Sequence, residues 1–352
     1  MKYPNFLPRN GTIGFVAPSF GCNTEPYKSA FDSALKKFKD LGHDLDLGPN
    51  CYEGKGIGIS NTPQACGKEL TDSYCSVDND VLLSVGGGEL MCETMSHVDF
   101  DAIKAAKPKW FMGYSDNTNM TFLLTTLCDT ASIYANCAQT FGMEPWDKSL
   151  TDSYELLLGR KDSVSGYPLW EKESLKDKEH PLVPLNLTEE RNSRVFLQDG
   201  TNYWGKEESQ ATVNLEGRLV GGCMDCLVNL LGTRFDGVKD FNERYKEDGI
   251  IWFMESCELN VMSIRRAIWQ MKEAGWFSHV KGFLIGRPML FGQELMGLDQ
   301  YHAVVDLLKE YQVPIIMDLD IGHLEPMMPM VSGAYAKVSM KGNDITISYE
   351  WK

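Results

Sequence analysis

Three side chains in this chain stand where chemistry is most easily done, a serine, a glutamate and a histidine. Ser115 lies in Trp110-Phe111-Met112-Gly113-Tyr114-Ser115-Asp116, where a short apolar run ends in glycine. A helical pattern from Asn117 to Leu127 follows. A serine at such a strand–turn–helix junction projects its hydroxyl from the sheet edge, and the first helical N–H groups point at what it attacks. The same segment also suits a plain Gly-x-Ser turn. A serine hydroxyl needs a base, usually a histidine oriented by a carboxylate. His323, in Asp320-Ile321-Gly322-His323, directly follows a buried-type strand. His43, His97, His180, His279 and His302 lie in polar or helical contexts and read as surface groups. Glu255 ends the apolar run Gly249 to Met254, a costly place for a carboxylate without a partner. Glu255 could instead cap the helix that follows; Glu258, inside the turn, reads as solvated.

Acyl transfer also needs donors for a developing oxyanion. Gly86-Gly87-Gly88 offers backbone N–H groups with no side chain in the way, and the N–H of Asp116 offers another. A glycine run could equally cradle a phosphate, but this one lacks the Gly-x-Gly-x-x-Gly spacing of a dinucleotide fold and the lysine of a P-loop. Cys223-Met224-Asp225-Cys226 has redox-motif spacing. No second pair or suitably placed histidine completes a zinc set in sequence, so packing is the expected role. The ten cysteines are expected reduced and mostly buried.

The elements that must position these groups alternate. Thr12 to Ala17, His43 to Leu47, Val81 to Val85 and Trp110 to Gly113 read as strands. Tyr27, Phe31, Ala34, Leu35, Phe38 and Leu41 recur at helical spacing before Gly42. Alternation of this kind implies a parallel sheet covered on both faces, with ligands at the carboxyl ends of its strands. Pro18-Ser19, Gly86-Gly87-Gly88 and Ser115 all fall at that edge. From about Lys148 to Thr212 the pattern fades into charge, Asp, Ser, Pro and Asn, with Trp170, Tyr203 and Trp204 interspersed. This stretch reads as a lid or binding loop. A second αβ region begins near Ala211. Gly217 to Gly222 leads into a helix, strands follow at Gly249–Met254, Gly282–Ile285 and Val313–Met317, and Ala334–Val338 and Asp344–Tyr349 close as an antiparallel pair.

The expected fold is α/β: a doubly wound, mostly parallel sheet in the N-terminal domain, residues 1–150, and a smaller C-terminal α/β domain of swivel or barrel-like form, residues 211–352. Residues 151–210 form the loop-rich connection. A net charge of -15 argues against a nucleic-acid partner. No apolar run is long enough to span a bilayer. Met1-Lys2-Tyr3-Pro4-Asn5-Phe6 lacks the apolar core of a signal peptide, which leads to the expectation of a cytoplasmic protein.

Gly113-Tyr114-Ser115-Asp116, the Gly86-Gly87 strand end before it, Gly217-Arg218-Leu219-Val220-Gly221-Gly222, Gly232-Thr233, the strand ending in Glu255, and Gly322-His323 together resemble the LD-carboxypeptidase family of serine peptidases. The resemblance runs through nearly the whole chain in the right order. It implies a triad of Ser115, Glu255 and His323, an oxyanion hole from Asp116 and a glycine of the Gly86-Gly87 pair, two domains, and a homodimer. It implies no metal and no cofactor. One branch of the family trims the terminal D-alanine from murein tetrapeptides. The other resembles the microcin C immunity protein, which cuts the amide joining an aminoacyl group to a nucleotide. Val85-Gly86-Gly87, where the murein branch tends to have Arg-Gly-Gly, and the long aromatic segment before Gly217 are more similar to the immunity branch. There a loop tryptophan stacks on the nucleobase, a role that would fall to Trp204 first and Trp170 second. The expected partner is thus an aminoacyl-nucleotide or a small peptide. Cys223 is a departure, because asparagine is frequent at that position in the family. A non-catalytic small-molecule binder, with Ser115 as a mere hydrogen-bond donor, is the reading from a different class.

Overall fold

The computed structural model describes residues 1–204 and 211–352, with Trp204 described in its backbone only. These residues form two compact units. The first comprises Met1–Lys161, Glu173–Asn186 and Pro329–Val331; the second comprises Asp162–Lys172, Leu187–Met328 and Ser332–Lys352.

Among the described residues, the first unit is built on a six-stranded sheet. Its order is Met330–Ser332, Ser132–Tyr134, Trp110–Gly113, Val81–Ser84, Thr12–Val16, Asp44–Leu47. The five strands from the first half of the chain pair in parallel. Val81–Ser84 and Trp110–Gly113 are wholly buried, as continuous apolar runs between covering helices must be. The Tyr27–Asp40 helix lays Ala30, Phe31, Ala34 and Phe38 against this sheet, and Phe31 and Phe38 both meet the ring of Phe15. Each such ring stabilises the fold by roughly 1.5–3 kcal/mol relative to exposure.

The second unit carries a nine-stranded sheet among the described residues. Thr212–Cys223, Ile250–Glu255, Val280–Gly286 and Ile315–Leu319 run parallel at its centre. Antiparallel strands extend it on both sides, Arg194–Phe196 and Asn202–Trp204 on one, Tyr335–Lys341, Asp344–Glu350 and Ser163–Ser165 on the other. The four parallel strands therefore deliver Cys223, Glu255, Gly286 and Leu319 to one edge.

Two sequence expectations change here. Residues 151–210 are not one loop-rich lid. They contribute the C-terminal part of the Lys148–Leu157 helix and several short strands, and they are shared between the two units. Gly217 to Gly222 leads into a helix as expected, Met224–Leu230, and does so as the last part of the twelve-residue strand Thr212–Cys223. Gly221 has φ of 155°, and a Cβ there would overlap the backbone oxygen of Phe253 on the neighbouring strand. Glycine is thus required for two parallel strands to approach so closely. His43 is buried rather than on the surface; its Nδ1 lies 3.0 Å from the Gly11 carbonyl and its Nε2 2.7 Å from the Tyr154 hydroxyl. Both ring nitrogens are thereby satisfied, as a buried polar group requires. His97, His180, His279 and His302 are exposed.

Candidate active site

In the first unit, Ser115 opens a short 3-10 turn, Ser115–Asn117, between the Trp110–Gly113 strand and the Thr118–Thr126 helix. Its φ is 62°, in the left-handed region that a non-glycine residue enters only when its surroundings impose it. Such a conformation costs on the order of 1–3 kcal/mol and clusters at functional turns. The surroundings that impose it are visible. Asn117 donates to the carbonyls of Gly86 and Tyr114. The Asp116 carboxylate accepts from Ser19 Oγ, from Met91 N at 2.9 Å and from Asn119 Nδ2 at 3.0 Å. Ser115 N donates to Tyr134 Oη at 3.2 Å. Phe20 N donates to the Gly87 carbonyl at 2.6 Å. The turns Pro18-Ser19, Gly86-Gly87-Gly88 and Ser115 thus meet at the carboxyl edge of the sheet. A Cβ on Gly87 would lie 3.2 Å from both Cβ and Oγ of Ser115, so the bare glycine backbone borders the hydroxyl.

In the second unit, Glu255 is fully buried at the end of its strand, and His323 follows the Ile315–Leu319 strand. His323 Nδ1 lies 2.8 Å from Glu255 Oε2. A carboxylate only accepts, so Nδ1 carries the proton, and in the neutral ring Nε2 is left as the acceptor. Glycines make this approach feasible. Gly322 has φ of 102°, and a Cβ there would overlap the Glu255 carboxylate; a Cβ on Gly286 would overlap the Ile321 carbonyl. Burial pulls the histidine's pKa down, but the Glu255 charge and a contact from Cys257 outweigh it and hold the ring well above 6.5. Glu255 does not cap the next helix. Asn260 does, its Oδ1 accepting from Ser263 N at 2.9 Å. Glu258 is exposed.

The loop that carries His323 is fastened by groups the sequence reading did not assign. Asp320 is fully buried and accepts from Arg287 Nη2 at 2.7 Å, Arg191 Nη1 at 3.3 Å and Tyr167 N at 2.7 Å. Arg287 also donates to the carbonyls of Asp318 and Leu324, on either side of His323. The signal is in the sequence: a charged residue directly after the apolar run Gly282 to Gly286 demands a buried partner, as Glu255 does after its own run. Trp170 belongs to this network. The Arg287 guanidinium lies 4.9 Å from its ring centroid, Phe291 packs edge-on at 5.3 Å, and its indole N–H donates to the Glu190 carbonyl. It is buried, and the ring is engaged in packing. The Trp204 side chain lies outside the described residues.

Cys223 pairs in register with Glu255, and burial, then Cys226 and the charge of Glu255, push its thiol well above 9.0. All ten cysteines are free thiols.

Two α/β units, one with a strained serine at a parallel-strand end and one with a buried histidine–carboxylate pair at the same kind of edge, define a hydrolase-like architecture of two parts. The comparisons specify it. The model of the LD-carboxypeptidase N-terminal domain matches residues 13–135, and that of the C-terminal domain matches residues 216–338. Together they span well over half the chain, which belongs to the LD-carboxypeptidase family and is a serine-type carboxypeptidase, a hydrolase. The chain is 23% identical to the "Probable murein peptide carboxypeptidase" of Bacillus subtilis (strain 168) over 96% of its own length and 91% of the relative's. Among solved structures it is similar to the MccF-like protein from Bacillus anthracis str. Ames, with TM-score 0.81, 19% identity, and coverage of 99% and 100% of the two chains. It is likewise similar to the microcin C7 self immunity protein MccF in complex with aspartyl sulfamoyl adenosine, with TM-score 0.77, 21% identity and 99% of each chain covered. No helix among the described residues is long and apolar enough to cross a membrane.

Proposed function

We propose that the chain hydrolyses a C-terminal amide through Ser115, His323 and Glu255, with aminoacyl- or peptidyl-nucleotides of the microcin C type as substrates. The observation that carries the catalytic part is the buried Glu255 carboxylate 2.8 Å from His323 Nδ1, which leaves Nε2 able to take a proton. Ser115 Oγ attacks the carbonyl carbon while Nε2 accepts its proton. Glu255 stabilises the imidazolium that results. The N–H groups of Asp116 and of Gly86 or Gly87 receive the oxyanion. The leaving nitrogen takes the proton from His323, and water then cleaves the acyl-serine by the reverse sequence. The substrate part is supported by Val85-Gly86-Gly87, by the aromatic segment before Gly217, and by the likeness to MccF solved with aspartyl sulfamoyl adenosine. A homodimer and a cytoplasmic location belong to the same proposal. The second reading, a murein tetrapeptide carboxypeptidase, is favoured by the likeness to the Bacillus subtilis relative.

Assaying one preparation with an aminoacyl sulfamoyl nucleotide and with a murein tetrapeptide tests the choice. Release of the sulfamoyl nucleotide is expected; release of D-alanine alone would transfer the assignment to murein. Trp204→Ala adds a second discriminator. Aromatic stacking is worth about 1–3 kcal/mol per base, so kcat/KM for the nucleotide substrate should fall roughly 5–150-fold more than for the peptide. Equal losses, or a larger loss with the peptide, would remove the tryptophan from nucleobase recognition.

The histidine sets a pH limb. A base must be neutral, and the Glu255 charge holds the His323 pKa above 6.5. Hydrolysis should therefore decline as pH falls through a value higher than that of an ordinary histidine. A pH–kcat/KM profile that is flat from neutral to acidic pH would count against a histidine base.

A further inference from the structure

Cys223 is in register with Glu255 on the neighbouring parallel strand, and Gly322 brings His323 onto the same carboxylate. As a result the Cys223 Sγ, a Glu255 carboxylate oxygen and a His323 ring nitrogen all lie within 4.8 Å of one another. Cys223 and Glu255 are buried, and the His323 side chain keeps 12% of its surface exposed. Thiolate, imidazole and carboxylate are the donors of tetrahedral zinc sites, with Zn–S near ~2.3 Å, Zn–N ~2.0–2.1 Å and Zn–O ~2.0–2.2 Å. Those bond lengths place ligand atoms roughly 3.3–3.7 Å apart, so side-chain shifts of about 1 Å close the cluster around an ion. The thiol decides the class of metal. Sulfur selects zinc-like, thiophilic cations, whereas Mg2+ and Ca2+ demand oxygen sets.

We propose that Cys223, Glu255 and His323 form a binding site for a thiophilic divalent cation, Zn2+ or Cd2+, and that its occupation reversibly switches hydrolysis off. On binding, Cys223 gives up its thiol proton and forms the metal–sulfur bond. Glu255 supplies an oxygen without change of protonation. His323 binds through Nδ1; the proton there leaves, and the neutral ring carries its proton on Nε2 instead. The net release is one proton per ion from the neutral ring and two from the imidazolium, and water fills the fourth position. Two consequences follow for hydrolysis. The Nδ1–Glu255 hydrogen bond is replaced by metal bonds, and Nε2 becomes a donor that cannot take a proton from serine. The departure from asparagine at this position thus adds a soft ligand beside the histidine–carboxylate pair. The inhibitory effect rests on the proposed catalytic roles; the binding does not.

The test begins with the full chain freed of metal and titrated with Cd2+, following the ultraviolet cadmium–thiolate absorption. One ion per chain with that absorption is expected. Cys223→Ser should abolish the band and weaken Cd2+ binding by more than about tenfold, while Cys226→Ser and Cys257→Ser keep the band. X-ray absorption at the zinc edge of the wild-type protein should find one sulfur neighbour, a readout that does not depend on any variant folding. Two sulfurs, none, or a band that survives Cys223→Ser would overturn the assignment. Hydrolysis should fall in step with the band, recover with a chelator, and be indifferent to Mg2+. A filled site with undiminished hydrolysis, or equal inhibition by Mg2+, would overturn the inhibitory role. If the metal-free protein hydrolyses neither substrate, the proposed function fails, while absorption and edge spectra still decide the site.

Discussion

Ser115→Ala is expected to lower kcat by roughly 10⁴–10⁶ while leaving the fold intact, the loss that follows removal of a triad nucleophile. The structural cost should be small for definite reasons. The hydrogen bond to Tyr134 Oη comes from the Ser115 backbone N–H, which alanine keeps. The turn is held by Asn117 and by the carboxylate of Asp116, neither of which is altered. Alanine at φ of 62° carries the same kind of strain as serine. The melting temperature should therefore stay near that of the wild type while turnover of both candidate substrates disappears. Near-normal turnover by the variant would take Ser115 out of the mechanism.

Sequence patterns revealed those parts of the site whose physics is local. Thr12–Val16, Val81–Ser84, Trp110–Gly113, Ile250–Glu255 and Ile315–Leu319 are built on short apolar runs, and each is a buried parallel strand. Glu255 drew notice because a carboxylate cannot end such a run without a partner, and the partner is His323. What escaped notice depends on contacts distant in sequence. Thr212–Cys223 contains three glycines that weaken its strand pattern, and their purpose emerges only beside Phe253 and its neighbours. His43 reads as polar until the Tyr154 hydroxyl and the Gly11 carbonyl are seen to satisfy it. Trp170 has the composition of a ligand-binding aromatic, yet Arg287 and Phe291 occupy it. The Arg287–Asp320–Arg191 group joins three separate stretches of chain, and no spacing in the sequence encodes it. Breaking one partner of such a buried group leaves an uncompensated charge, at a cost of about 3–5 kcal/mol.

Glu255→Gln should be the next most damaging single change, and it separates an orienting role from a merely structural one. Glutamine keeps the size of the side chain, so the glycines at 286 and 322 still accommodate it, and one buried charge is lost rather than left unpaired. The helix Val261–Glu273 keeps its Asn260 cap, so its start is unaffected. What changes is the proton on the ring. If the glutamine amide donates to Nδ1, His323 is locked with its proton on Nε2 and cannot receive one from Ser115. A carboxylate-to-amide change of this kind in a serine triad lowers kcat by about 10⁴. Loss of the Glu255 charge also removes what holds the imidazole pKa high, so any residual activity should persist to lower pH than in the wild type. The parallel change Glu258→Gln, on an exposed side chain three residues away, should leave both rate and pH limb unaltered. Rate, melting temperature and pH profile of the two variants decide the matter together. A Glu255→Gln protein that melts normally and hydrolyses normally would reduce Glu255 to a packing residue. A protein that melts normally, turns over poorly and shows the displaced pH limb would mark the carboxylate as the group that keeps His323 in its reactive tautomer.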